Sequence, residues 1–149
     1  MAHESNLDKL IKMRFVECGE WTAHDGQLTA KLLKCADEPK VLYAFVVDGM
    51  VMYIGKTIRS LRSRMQGYRS PGKTQFTNIR NNAKVLQALD SGKRVLIYVL
   101  PDNGLLSYGG FHVNLAAGLE DDLVKQLSPP WNGGKKDTGE SPSSVPAAS

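Results

Sequence analysis

The sequence predicts an α+β fold, a small three-stranded antiparallel sheet flanked by helices, and three observations carry that prediction. Two runs rich in β-branched and aromatic residues, VLYAFVV (41–47) and MVMYIG (50–55), meet at Asp48-Gly49, a dipeptide suited to the type I′ turn of a hairpin. A third run, RVLIYVLP (94–101), has the same character and ends on Pro101. Between and after these strands the apolar spacing becomes helical, so the order from residue 41 is β-β-α-α-β-α.

Taken along the chain, residues 5–14 read as a short helix with Ser5 or Asn6 as its cap and Leu7, Leu10, Ile11 and Phe15 as its apolar stripe. From Phe15 to Leu33 the pattern is ambiguous, although His24-Asp25-Gly26 looks like a turn between two extended pieces, one of them carrying Trp21. Pro39 closes this stretch, so residues 1–40 are expected to form an N-terminal extension packed on a core of residues 41–132. After the hairpin, Leu61, Met65 and Tyr68 give a helix from Ile58 to Tyr68, and Ser70-Pro71-Gly72 breaks it. A second helix is expected over Thr77–Asp90 with Ile79, Ala83, Leu86 and Leu89 inward and Gly92 as its stop. A polar, glycine-bearing loop follows the third strand through Gly110. The last helix, Leu115–Leu127, carries Leu115, Leu119, Leu123 and Leu127 on one stripe and stops at Pro129-Pro130. Residues 133–149, rich in Gly, Ser and Pro, are expected to be a disordered tail.

A length of 149 residues suits one domain. No run of about 18 apolar residues is present, so no spanning helix is expected, and the polar start lacks the apolar core of a secretory signal. Cys18 and Cys35 have no CxxC neighbour, which argues against a zinc cluster or disulfide framework and for reduced thiols in the cytoplasm. The net charge of +4 conceals a strong polarity. Between Lys56 and Arg94, ten Lys or Arg residues face Asp90 alone, a segment charge of +9. Positive potential of that density suits a phosphate backbone, or else is a solvated basic face. With only Tyr68 and Phe76 as aromatics, this segment is better made for backbone contact than for stacking on single-stranded bases.

Several residues within this frame could do chemistry. The two-residue turn pairs Val47 with Met50 and hence Ala44 with Tyr53, which sets Tyr43 and Tyr53 diagonally on neighbouring strands. Either they share a pocket or they are ordinary strand tyrosines. Gly55 permits close backbone approach or a tight turn, and Lys56, Thr57 and the following helix start could hold a phosphate. Arg64 lies beside the buried stripe of its helix, where a planar guanidinium can reach a phosphate bidentately, whereas Arg59 and Arg62 read as exposed backbone contacts. Glu120 borders the inward side of the last helix, where a carboxylate is costly unless something positive meets it, or is simply favoured by the helix dipole. His3, His24 and His112 read as bystanders, with His112 the nearest in sequence to that helix.

Taken together, Val-Leu-Tyr (41–43), Tyr-Ile-Gly (53–55) ten residues on, a helix with an inward arginine, then Glu120 and a Pro-Pro-Trp-Asn run ending at Asn132 resemble the GIY-YIG nuclease family. That family includes homing endonucleases, some restriction enzymes and the incision subunit of bacterial excision repair. The likeness spans residues 41–132. It implies a DNA endonuclease using Mg²⁺ or Mn²⁺ on Glu120, with Tyr43 helping to deprotonate the attacking water, assisted by Lys56. It also implies Tyr53 beside the reacting phosphate, Arg64 neutralising it, and products with a 5′-phosphate and a 3′-hydroxyl. Gly55, Thr57, Arg59, Arg62, Tyr68, Arg69 and Asn132 would line or buttress the substrate site. Three departures stand out. The first triplet is VLY rather than GIY. The arginine lies nine residues after Gly55 where eight is usual, which leaves Arg62 as an alternative. Tyr68 stands where many members carry histidine. A catalytically silent nucleic-acid-binding module and an RNA-directed nuclease remain the alternative readings. The loop from Asp102 to Asn114 and the first 40 residues are the candidate specificity elements.

Overall fold

The computed structural model describes residues 4–104 and 106–133; the expected tail beyond Gly133 lies outside them. The chain opens with α1 (Asn6–Lys12), whose start is fixed by a capping box. The Ser5 hydroxyl accepts from the Asp8 amide at 3.0 Å, and the Asp8 carboxylate accepts from the Ser5 amide at 3.3 Å. Leu10 and Phe15 are buried while Ile11 is exposed, so the inward stripe is narrower than its spacing predicts.

The ambiguous stretch resolves into β1 (Val16–His24) and β2 (Gln27–Leu32), joined through Asp25 and Gly26 at φ 54° and 77°. Both belong to the main sheet. With β3 (Pro39–Val47), β4 (Met50–Ser60) and β5 (Val95–Leu100) they form one five-stranded antiparallel sheet in the order β2-β1-β5-β3-β4. The expected count of three strands is corrected accordingly. What conceals β1 and β2 in the sequence is their sparse apolar content: Cys18 and Trp21 point inward among Glu17, Glu20 and Gly19. Gly19 is required there, because a Cβ would run into the Lys31 carbonyl oxygen of β2.

The β3–β4 hairpin turns at Asp48-Gly49 (φ 52° and 77°) as its dipeptide predicts, with Val47 opposite Met50. Its register then slips. Val46 faces Val51 but Phe45 faces Tyr53, so Met52 is a one-residue β-bulge. An unbroken ladder would set Tyr53 opposite Ala44 and send the Tyr43 and Tyr53 rings to opposite faces, since facing alternates residue by residue. The bulge returns Tyr53 to the face of Tyr43 and Phe45.

A second irregularity falls between Pro39 and Val41, where Ile58 and Arg59 of β4 stand against the single residue Lys40, one extra residue. Strand β4 runs on to Ser60, so the next helix, α2 (Leu61–Arg69), starts three residues later than Ile58. Ser60 caps it, its hydroxyl accepting from the Ser63 amide at 3.1 Å. Helix α3 (Phe76–Asp90) turns Asn78, Asn81 and Val85 inward while Ile79 and Ala83 are exposed, a correction to its apolar reading. The amide face is held in part by the Asn82 side chain, which donates to the Tyr68 carbonyl at 2.8 Å.

Beyond β5 the expected loop contains a small hairpin, β6 (Ser107–Tyr108) and β7 (Phe111–His112). Helix α4 (Leu115–Leu127) has the expected bounds and is capped by Asn114, whose side-chain oxygen accepts from the Ala117 amide at 3.1 Å. A 3₁₀ turn, Pro130–Asn132, ends the described chain. Two cores sandwich the sheet. Helices α2 and α3 cover Trp21, Tyr43, Phe45, Tyr53 and Ile97 on one face. Helices α1 and α4 cover Leu42, Ala44, Val46 and Ile54 on the other. No helix among the described residues is long and apolar enough to cross a membrane.

Candidate active site

Strands β3 and β4 carry Tyr43 directly opposite Gly55. The absence of a Cβ at Gly55 makes room for the Tyr43 ring: an added carbon would lie 2.6 Å from its hydroxyl oxygen, 2.7 Å from its Cζ and 2.9 Å from the Tyr53 ring. The two tyrosine rings are 6.3 Å apart and tilted by 38°. From α2, Tyr68 meets Tyr43 edge-on at 6.2 Å and also packs against Phe45 and Trp21.

One turn earlier on α2, Arg64 completes the cluster. Its Nε donates to the Tyr43 hydroxyl at 3.0 Å and its Nη2 to the Tyr68 hydroxyl at 2.9 Å, while the guanidinium carbon stands 4.3 Å over the Tyr68 ring. One of the two hydroxyls donates to the other across 2.6 Å. Each oxygen thus accepts from the guanidinium and only one O–H is used between them, so the second O–H proton remains for a third acceptor. Burial pushes the Tyr43 phenol well above its ordinary range, Tyr53 adds to the shift, and Arg64 opposes it. Burial does the same to Tyr68. Both are neutral phenols at physiological pH.

Beside this cluster opens a cleft of about 420 Å³ lined by Lys56, Thr57, Ile58, Arg59, Ser63, Arg64, Gly67, Gln75 and Asn78. Three cations and several neutral polar groups face it, and no carboxylate does. The Thr57 hydroxyl accepts from the Arg59 amide at 3.0 Å, fixing the strand where it swings outward. Ser63, Gln75 and Asn78 are additions to the residues the sequence singles out. The apolar periodicity of α3 hides the amides, and their one sequence signal is a polar QFTN run at the helix start.

Other expected site residues lie elsewhere. Arg62 turns to Asp37 at 3.3 Å, so Arg64 is the arginine on the tyrosines. Arg69 donates to Thr29 at 3.0 Å and Gln27 at 3.2 Å, tying α2 to β2. Asn132 forms a reciprocal pair with the main chain of Ile54, its amide nitrogen donating to the carbonyl and its oxygen accepting from the N–H, both at 2.8 Å. It therefore seals one position of the outer edge of β4, an edge strand of the sheet.

Glu120 stands half-buried on α4 between Ala116 and Val124, on the sheet face opposite the tyrosines. Lys56, which pairs with Leu42 one residue out of phase with Gly55, leaves β4 toward that face and still lines the cleft, because β4 is the edge of the sheet. No three His, Cys, Asp or Glu are grouped to hold a metal among the described residues. A single carboxylate with waters and a substrate phosphate is nonetheless a donor set that suits Mg²⁺. Cys18 is buried, its thiol pushed up to about 12 by that burial, and Cys35 is likewise a free thiol.

The chain matches no family model. Endonuclease II of Enterobacteria phage T4 is 28% identical to it over 113 residues, covering 72% of this chain and 82% of the relative. A solved mutant form of bacteriophage T4 EndoII superposes with a TM-score of 0.64 at 25% identity, over 87% of this chain and 99% of that one. A restriction endonuclease solved with product DNA shares the fold, with a TM-score of 0.51 at 18% identity over 91% of this chain and 82% of that one.

Proposed function

We propose that this chain is a metal-dependent DNA endonuclease of the GIY-YIG type. The observation that supports it most is the cationic cleft, free of carboxylates, that opens beside the Tyr43–Tyr68–Arg64 cluster. The likeness to phage T4 Endonuclease II over most of both chains points to the same chemistry.

In this reading Lys56 and Arg59 draw the phosphate backbone into the cleft, and Arg64 binds the scissile phosphate through the donors its tyrosine bonds leave over. Its attachment to two phenols orients the guanidinium before substrate arrives, which reduces the entropy lost on binding. Water attacks phosphorus as the bond to the 3′ oxygen breaks, and that oxygen takes a proton from solvent, leaving a 5′-phosphate and a 3′-hydroxyl. Tyr43 relays the proton of that water: as its oxygen accepts it, its own phenolic proton passes on to solvent with Lys56 assisting, and the Arg64 Nε that donates to the Tyr43 oxygen offsets the negative charge that burial otherwise disfavours. Tyr53 packs beside Tyr43 and walls the reacting phosphate. Glu120 would hold Mg²⁺ or Mn²⁺, which when bound supplies positive charge against the phosphate and the leaving oxygen. Because β4 is an edge strand, groups of both sheet faces, Arg64 on one and Lys56 with Glu120 on the other, can approach one phosphate around that edge.

Plasmid nicking with Mg²⁺, and with EDTA as control, tests the proposal. Wild type should nick, and Arg64→Ala and Glu120→Ala should each lose at least a hundredfold in rate. Duplex binding without any metal-dependent nicking would leave a nucleic-acid-binding module instead. Preferential cutting of RNA in a competition would redirect the substrate.

A further inference from the structure

The β6–β7 hairpin carries features that the cleavage chemistry leaves unused. Tyr108 and Phe111 face one another across its two strands and flank a Gly109-Gly110 turn at φ 60° and 84°. They are 84% and 78% exposed, an unusual state for a cross-strand aromatic pair. The hairpin is nevertheless firmly rooted. The Val113 amide donates to the Leu106 carbonyl at 2.8 Å. The Asp102 carboxylate holds His112 Nε2 at 2.7 Å and the Asn114 amide nitrogen at 2.9 Å, and that nitrogen also donates to the Lys40 carbonyl at 3.1 Å.

Its position follows from the register. Leu100, the last residue of β5, lies opposite Leu42, and Leu42 lies opposite Lys56. The hairpin therefore leaves the sheet at the end where Lys56, Thr57 and Arg59 line the cleft. The segment from Gly104 to Asn114 has no acidic residue to repel a phosphate backbone.

We propose that this hairpin is a base-stacking wedge, with Tyr108 and Phe111 packing against bases of the duplex DNA whose backbone lies in the cleft. The proposal rests on the nuclease reading. Two aromatic side chains bury roughly 300–500 Å² when fully covered, short of the roughly 800 Å² per partner of a stable protein interface. Stacking of single bases needs no such area, and apolar or aromatic side chains inserted at a base step are an established way to unstack and kink a duplex.

The test uses the full chain in EDTA with a labelled duplex carrying a fluorescent aminopurine, alongside nicking of plasmid in Mg²⁺. The Tyr108→Ala/Phe111→Ala variant should bind about tenfold or more weakly and lose the aminopurine response to unstacking, with the salt dependence of binding unchanged because no phosphate contact is lost. Tyr108→Phe, which keeps the ring, should behave as wild type. If wild type binds and nicks but the double variant binds equally well with its aminopurine response intact, the wedge is refuted and the nuclease reading stands. Dissociation of a dimer by the double variant, with duplex binding unchanged, would identify a second copy of this chain as the occupant and also refute it. A wild-type chain that neither binds nor nicks overturns both.

Discussion

Replacing Gly55 with alanine would strike the cluster at its most crowded point. The new Cβ would lie 2.6 Å from the Tyr43 hydroxyl oxygen and 2.7 Å from Cζ, about 1 Å inside ordinary contact distance. The Tyr43 ring has nowhere inexpensive to move. It is fully buried, packed among Phe45, Tyr53 and Tyr68, and pinned by Arg64 at 3.0 Å and Tyr68 at 2.6 Å. Overpacking of this kind costs about 1–3 kcal/mol. A shift of 1 Å would also weaken two buried hydrogen bonds, each worth about 1 kcal/mol. The expected loss is therefore about 2–5 kcal/mol in urea unfolding. The active-site effect should exceed the folding effect. Measured where the variant is still fully folded, nicking should fall by tenfold or more, because a misplacement of about 1 Å at a reacting group can cost a hundredfold. A Gly55→Ala variant within about 0.5 kcal/mol of wild type and with full nicking activity would refute the packing of Tyr43 over Gly55 as the reason for a glycine there.

Gly67→Ala should do the reverse, since its Cβ would meet Arg64 and Asn78 only at 3.4 Å and a mid-helix glycine costs about 1 kcal/mol relative to alanine; a raised urea midpoint checks it. Asn132→Asp should destabilise the protein more than Asn132→Ala at neutral pH, because a carboxylate cannot donate to the Ile54 carbonyl that it would face at 2.8 Å. The difference should shrink in acid as the carboxylate protonates, and thermal melts at two pH values would show it. Tyr43 and Tyr68 have folded-state pKa values raised above the unfolded value of about 10. Their contribution is intact below that pH and is lost as pH rises toward the folded values, at about 1.4 kcal/mol per pH unit for each withheld phenol. Stability measured across that alkaline range should fall steeply, and less steeply in Tyr68→Phe. Arg59→Ala should weaken duplex binding and lower its salt slope by about one, read by titration at several salt concentrations.

Local chemistry made parts of this molecule legible. Asp48-Gly49 specified its turn, the leucine stripe gave α4 its bounds, and the neighbourhood of Leu61, Met65 and Tyr68 set Arg64 on the inward side of α2. The two strands from the first forty residues were not legible, because their membership in the sheet depends on long-range pairing of β1 with β5, and a strand bearing Glu17, Gly19 and Glu20 has little periodicity to betray it. The inward amides of α3 were hidden for a related reason. Asn78 faces a polar cleft that exists only once α2 and α3 are assembled, so the helix buries the side its composition would expose. Spacing alone leaves open whether Tyr43 and Tyr53 share a pocket, a regular register separates them, and the extra residue at Met52 that brings them to one face has no mark in the sequence.

That extra residue has a consequence for how such a chain can change over generations. Loss of Met52 alone would turn the arm into a regular ladder that still sets Val51 opposite Val46 and Tyr53 opposite Phe45, so Tyr53, Gly55 and Thr57 would stay on the tyrosine side and Ile54 and Lys56 on the other. Loss of a second residue would find no bulge to absorb it, and would turn every later side chain of β4 over. The bulge therefore gives this arm one residue of slack: a chain lacking Met52 should retain nicking, and a chain lacking both Val51 and Met52 should lose it.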